Sequence, residues 1–221
     1  MKYKYAFALL LLAGLAFAIQ PAEDWNVGDI GRYTQVGQAT FTTMGGNVTE
    51  LNLSSNISTA KWAGFWGNVS GEIVLAPNNV DMFYTWAWDS TDGGEVCAVT
   101  GPTFSWFAVQ PATGGDVDWM WFFDPDDTDS GNNTLSSTCE AEVAGIYIPA
   151  TNCTTTGSGV LETFVIADMG MPLVKSDLAF CVNITGNTAL FNGQTGDYEL
   201  LTPTNETAGS TETYYFWLEL N

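Results

Sequence analysis

Histidine is absent from the 221 residues, and that absence excludes several chemistries at once. Ser-His-Asp and Cys-His catalysis both need an imidazole as general base. Zinc sites usually draw on histidine or on closely spaced cysteines, and the four cysteines include no C-x-x-C pair. Basic residues are nearly missing too, with five Lys and Arg against 25 Asp and Glu. Once the first 18 residues are removed, as argued below, Arg32, Lys61 and Lys175 remain and the net charge is about −22. Nucleic acid and anionic lipid are bound by neutralising phosphate with Lys and Arg, so nucleic acid is not an expected partner. The acidity fits divalent-cation binding, a saline habitat or plain solubility. No second apolar run long enough to span a bilayer follows the first, and no downstream segment sustains a helical period. A glycosidase needs two carboxylates at a defined separation, and no pair stands out. The expectation is a protein that is not an enzyme.

What is present begins with an export signal at 1–18. Lys2 and Lys4 precede an apolar run from Ala6 to Ala18, and Ala16 and Ala18 are the small residues a signal peptidase reads. That run of about 13 residues is short of the ~20 a span requires. Cleavage after Ala18 would release a secreted chain, extracellular or held at the cell surface.

Eight Asn-x-Ser/Thr acceptor sites follow, at Asn47, Asn52, Asn56, Asn68, Asn132, Asn152, Asn183 and Asn205. With 15 Asn and 39 Ser plus Thr, chance placement gives roughly 2.6. A threefold excess points to a secreted glycoprotein. Four of the sites crowd into 45–76, where 68–75 alternates so that Val69, Ile73 and Leu75 share one face and Asn68 points at solvent.

Short alternating segments separated by turn residues predict strands at 38–44, 47–53, 60–66, 68–75, 80–88, 94–100, 103–109, 116–123, 141–148, 159–167, 177–185, 196–202 and 212–220. The expected fold is all-β: an antiparallel β-sandwich, Ig-like or jelly-roll-like, as one large or two small sandwiches over 38–221. Residues 19–37, with Pro21 and several glycines, form an irregular leading segment.

An exported chain meets oxidising conditions, so two disulfides are expected. Alternation puts Cys97 and Cys181 on outward faces of neighbouring strands, which suggests that they pair. Cys139 and Cys153 would then close a loop of about 14 residues, worth roughly 3 kcal/mol.

Two further features invite chemistry. Asp124, Asp126, Asp127 and Asp129 fall within six positions. Clustered carboxylates suit Ca²⁺, although the spacing is not that of an EF-hand and a solvated acidic turn is the alternative. Aromatic clusters at Trp62-Phe65-Trp66, Trp86-Trp88 and Trp119-Trp121 offer stacking platforms for carbohydrate, or else core packing.

The run 42–76, especially GGNVTELNL and KWAGFWGNVSGEIVL, resembles archaeal secreted proteins. More broadly, the signal, the acceptor-site density and the all-β pattern are similar to Ig-like, glycosylated subunits of archaeal surface filaments. That resemblance implies a structural or adhesive role through self-association or contact with other surface proteins. It also implies that an N-terminal strand, here within Ile19 to Gly37, completes the sheet of the next subunit.

Overall fold

The apolar runs GEVCAV, ETFVIA and LAFCVN form the centre of the fold. The computed structural model describes residues 19–221 except 29, 35–39, 79, 169–173 and 206–210. The expected signal at 1–18 and part of the expected strand at 38–44 lie outside the described residues. The strands in chain order are β1 (Ile19–Pro21), β2 (Trp62–Gly67), β3 (Glu72–Leu75), β4 (Tyr84–Ala87), β5 (Gly94–Val99), β6 (Gln110–Pro111) and β7 (Ser137–Val143). They continue with β8 (Ile146–Thr155), β9 (Glu162–Ala167), β10 (Leu178–Asn183), β11 (Thr188–Ala189), β12 (Thr195–Gly196), β13 (Tyr198–Pro203) and β14 (Tyr215–Leu220). Two short helices, α1 (Gly114–Trp121) and α2 (Gly131–Thr134), lie between β6 and β7.

The architecture is an all-β antiparallel sandwich. The large sheet runs β1-β14-β5-β10-β9-β8-β7, with β6 also paired to β9, and β2–β13, β3–β4 and β11–β12 form two-stranded ribbons. Val96, Ala98, Val165, Phe180 and Val182 face one apolar cluster, while Cys97, Val99, Phe164, Ile166, Ala179 and Cys181 face a second. The first face is covered by Trp62 and Phe65 of β2, Leu200 of β13, and Met120 and Trp121 of α1. Phe104, Trp106, Val109 and the β7–β8 hairpin cover the second. A strand covered on both sides has no polar face, so it reads as an unbroken apolar run. Fully burying each large side chain contributes about 1.5–3 kcal/mol, which makes these three strands the main source of stability.

The β7–β8 hairpin crosses from the far edge of the sheet. Its turn places Ala144 and Gly145 at φ 53° and 69°, the left-handed pair of a tight hairpin. A register shift between Cys139 and Ala141 bends the strand. The Ala144 N–H at the tip thereby reaches Glu219 on β14, donating over 2.6 Å.

Several expected strands differ. Residues 116–121 are helical and 122–123 leave the helix, because Thr113 and Asp116 close a capping box at the start of α1 and supply backbone partners that a strand would need from a neighbour. The segment 141–148 straddles the β7–β8 turn instead of forming one strand. The described part of 38–44, all of 47–53, and 103–109 carry no strand: alternation without a sheet edge to pair with does not hold an extended chain. Residues Ile73 and Leu75 are exposed, since the β3–β4 ribbon has no layer over it. At the leading segment, Ile19–Pro21 pairs with β14 of its own chain.

Cys97 and Cys181 are cross-strand partners and are joined by a disulfide with S–S 2.05 Å. Contrary to expectation, neither faces outward; both are fully buried in the second cluster. Cys139 and Cys153 remain thiols and do not form the expected second bridge.

Candidate functional site

The segment from Thr113 to Thr134 brings a glycosylation acceptor and exposed aromatic rings to one place. The Thr113 hydroxyl caps α1 by accepting from the Asp116 N–H at 3.2 Å, and the Asp116 carboxylate accepts from the Thr113 N–H at 2.8 Å. On the buried side of α1, Asp118 accepts from the N–H groups of Gly131 (2.5 Å) and Asn132 (3.0 Å). One carboxylate therefore satisfies the first donors of α2 and locks the two helices together. Gly114 and Gly131 allow the approach: a Cβ on either would come within 2.4 to 2.5 Å of the other's carbonyl oxygen.

The helical period sorts the aromatics. Trp121 is 3 % exposed and packs edge-on against Phe180, while Trp119 is 73 % exposed. The helix ends on Phe122 in the left-handed region (φ 58°), which leaves its ring 85 % exposed. Trp119, Phe122, Phe123, Pro125 and Asn132 line an open groove of about 430 Å³.

Pro125 of the acidic turn after Phe123 lines this groove, and the turn is held by a lysine. Lys61 Nζ lies 2.5 Å from Asp127 Oδ2 and 2.9 Å from Asp129 Oδ1. Thr59 Oγ1 donates to Asp129 Oδ2 at 2.7 Å, and the Trp62 indole N–H donates to the Asp129 carbonyl at 2.7 Å. Burial acts to lower the Lys61 pKa, but hydrogen bonds and charge from Asp127 and Asp129 outweigh it and hold the ammonium above the ordinary lysine value. Burial acts to raise Asp129, and the bonds from Thr59 and Lys61 outweigh it in turn, so that carboxyl lies below the usual range. Asp124 Oδ1 accepts from the Asp126 N–H at 3.0 Å. The four carboxylates expected to share a Ca²⁺ are therefore not gathered into one ligand set; two of them hold an ammonium instead.

Among the described residues, the group that does converge is Cys139, Cys153 and Glu162, whose ligand atoms lie within 4.8 Å of one another. Burial, then a hydrogen bond with Cys153, pushes the Cys139 thiol up. Such a thiol is a weak nucleophile at neutral pH.

None of the eight acceptor asparagines is buried. Asn47, Asn52, Asn56, Asn68, Asn132 and Asn183 are exposed, and Asn152 and Asn205 are half-buried. Three of the side chains are engaged: Asn52 donates to Glu50 Oε1 at 3.4 Å, Asn152 accepts from the Gly114 N–H at 2.9 Å and donates to the Ser137 carbonyl at 3.3 Å, and Asn205 accepts from Lys175 Nζ at 2.9 Å.

The expected aromatic pairs are split. Trp86 is exposed and Trp88 buried, and the exposed ring beside Trp86 is Tyr84, at 4.7 Å between centroids.

One constellation had no counterpart in the sequence reading. Glu95 on β5 and Glu219 on β14 stand opposite in register and are 7 % and 3 % exposed. Burial, then the charge and hydrogen bond of Glu219, then the charge of Glu142, push Glu95 up to about 9. Its Oε2 has no partner. A charged residue inside an apolar strand such as FWLEL was the available signal. The pair lies under the β7–β8 tip, so it can hold a proton but cannot meet a substrate. Comparison of the chain with protein-family models, curated proteins and solved structures returns no match, and the reading of function rests on this geometry.

Proposed function

We propose that the protein is an exported, N-glycosylated component of a cell surface, structural or adhesive in role and without a catalytic cycle. The observation that carries this reading is the threefold excess of acceptor sites combined with the exposure of six of the eight acceptor asparagines. The buried Cys97–Cys181 bridge suits the same compartment. In that compartment the neighbouring thiols of Cys139 and Cys153 would be oxidised to a second bridge. Surface for association is available: Trp25, Val27 and Ile30 of the leading segment and Ile73, Val74, Leu75 and Phe83 around the β3–β4 ribbon are exposed. Clustered apolar surface of this kind marks contact sites. Intact mass and glycopeptide mapping of the protein from its own host test the reading. A chain beginning at Ile19 and carrying glycans supports it, and a bare chain retaining residues 1–18 overturns it. Negative-stain microscopy reports filaments or sheets if the association is with itself.

A second reading, a carbohydrate-binding module, is favoured by the exposed Tyr84–Trp86 pair on the uncovered ribbon. Retention of a monomer on a polysaccharide column would select it.

A further inference from the structure

The groove beside α1 presents two large aromatic rings to water. Trp119 and Phe122 are exposed although neighbouring Met120 and Trp121 are buried. Phe122 holds its position in a backbone conformation that favours Gly or Asn at a helix end. An acceptor site, Asn132-Asn133-Thr134, opens on this same groove, since Asn132 is one of its lining residues. Asp118 helps fix the acceptor relative to the rings: it binds the Asn132 N–H, and Trp119 is the next residue on its helix.

We propose that the groove is occupied by the first sugars of a glycan on Asn132, stacked on Trp119 and Phe122. The inference rests on the glycosylation proposed above and names what one glycan does. The C–H face of a pyranose is apolar and carries slight positive charge, so it complements the negative face of an indole or phenyl ring. The hydroxyl edge of the sugar stays in water, as the open side of the groove allows. A free sugar would have to overcome the cost of association for so small a contact. A sugar already bonded to Asn132 is held at high effective concentration, so weak stacking suffices. The contact covers rings that would otherwise be exposed apolar surface, and it ties α2 to α1 from outside as Asp118 does from inside.

The experiment uses the chain produced in its own glycosylating host, with occupancy at Asn132 read by glycopeptide mass. Thr134→Ala abolishes the acceptor site without touching the asparagine, and Thr134→Ser preserves it. Trp119→Ala removes the platform at an exposed position where folding does not depend on it. The expected result is that Thr134→Ala lowers Tm by about 2–4 °C relative to Thr134→Ser, and that this loss largely disappears when Trp119→Ala is present in both. Iodide quenching of tryptophan emission is expected to increase when the glycan is absent, and only while Trp119 is there. Asn132 occupied with the same Tm loss in both backgrounds, or none in either, overturns the stacking and leaves glycosylation standing. Asn132 bare while other acceptors are occupied overturns this inference alone. A chain bare at all eight sites overturns the proposed function with it.

Discussion

Replacing Glu95 with Gln isolates a buried proton that the fold holds near neutral pH. An unfolded glutamate releases its proton near 4.5, whereas Glu95 in the folded chain keeps it to about 9. Between those values the folded chain binds one proton more than the unfolded chain. Its contribution is therefore complete below about 4.5 and is lost as pH rises toward 9. One proton corresponds to about 1.4 kcal/mol per pH unit, hence about 4 kcal/mol between pH 5 and 8. That is a large share of the 5–15 kcal/mol typical of a domain. The absence of histidine makes the interval clean, because no ordinary side chain titrates there. Asp168, which burial also pushes up, is unchanged in the comparison and cancels. The assay is urea unfolding of the mature chain, followed by tryptophan fluorescence at four pH values from 5 to 8. The wild type is expected to lose about 4 kcal/mol across the series. The variant carries a neutral group at position 95 at every pH, loses about 4 kcal/mol less across the series, and is the more stable protein at pH 8. Parallel curves for the two proteins would refute the assignment of the proton to this pair.

Other consequences follow from the same contacts. Lys61→Met strands Asp127 and Asp129, whose side chains are 52 % and 43 % exposed. The loss should be about 1–3 kcal/mol, between that of a surface pair and a buried one, and should shrink at high salt when urea midpoints are compared. Gly94 adopts φ +135°, and a Cβ there would meet the Glu219 carbonyl oxygen at 2.0 Å. Gly94→Ala should cost more than about 4 kcal/mol or prevent folding, read by circular dichroism and thermal melts. Replacing Cys97 and Cys181 by Ala opens a closure of 84 residues, which the chain-entropy relation values at about 4–5 kcal/mol by denaturant titration.

Much of the fold was legible, and the misses have physical causes. Strands β2, β5, β10 and β13 lie within two residues of their expected positions, and β9 and β14 start three residues later than expected, because a run of β-branched and aromatic residues bounded by turns has few other ways to be buried. Which face each side chain takes was not legible for the central three. Alternation assigns faces only when one side is wet, and here both are covered, so Cys97 and Cys181 could pair and yet be buried. Segments 47–53 and 103–109 show the opposite error, since a pattern suited to a strand stays irregular where no edge is free to receive it.

The candidate site failed at one specific step, the choice of period over 116–123. As a strand, Trp119 and Trp121 would share a face; in a helix, two residues turn the direction by about 200°. That sends Trp121 into the core and Trp119 into solvent. The deciding signal was present at Thr113-Gly-Gly-Asp116, a capping box, and it outranks weak alternation because it satisfies backbone donors that a strand here would leave open. Applied first, it would have placed an exposed indole one residue from Asp118. It would not have found Asn132 beside it. That proximity depends on the Asp118 carboxylate reaching the start of α2 and on two glycines that let the helices touch, contacts 13 to 17 residues apart in the chain. Acceptor motifs are local and can be read in a line, whereas the surface a glycan lies against is made by tertiary contact. The excess of acceptor sites was therefore visible at once, and the groove beside one of them only in the folded chain.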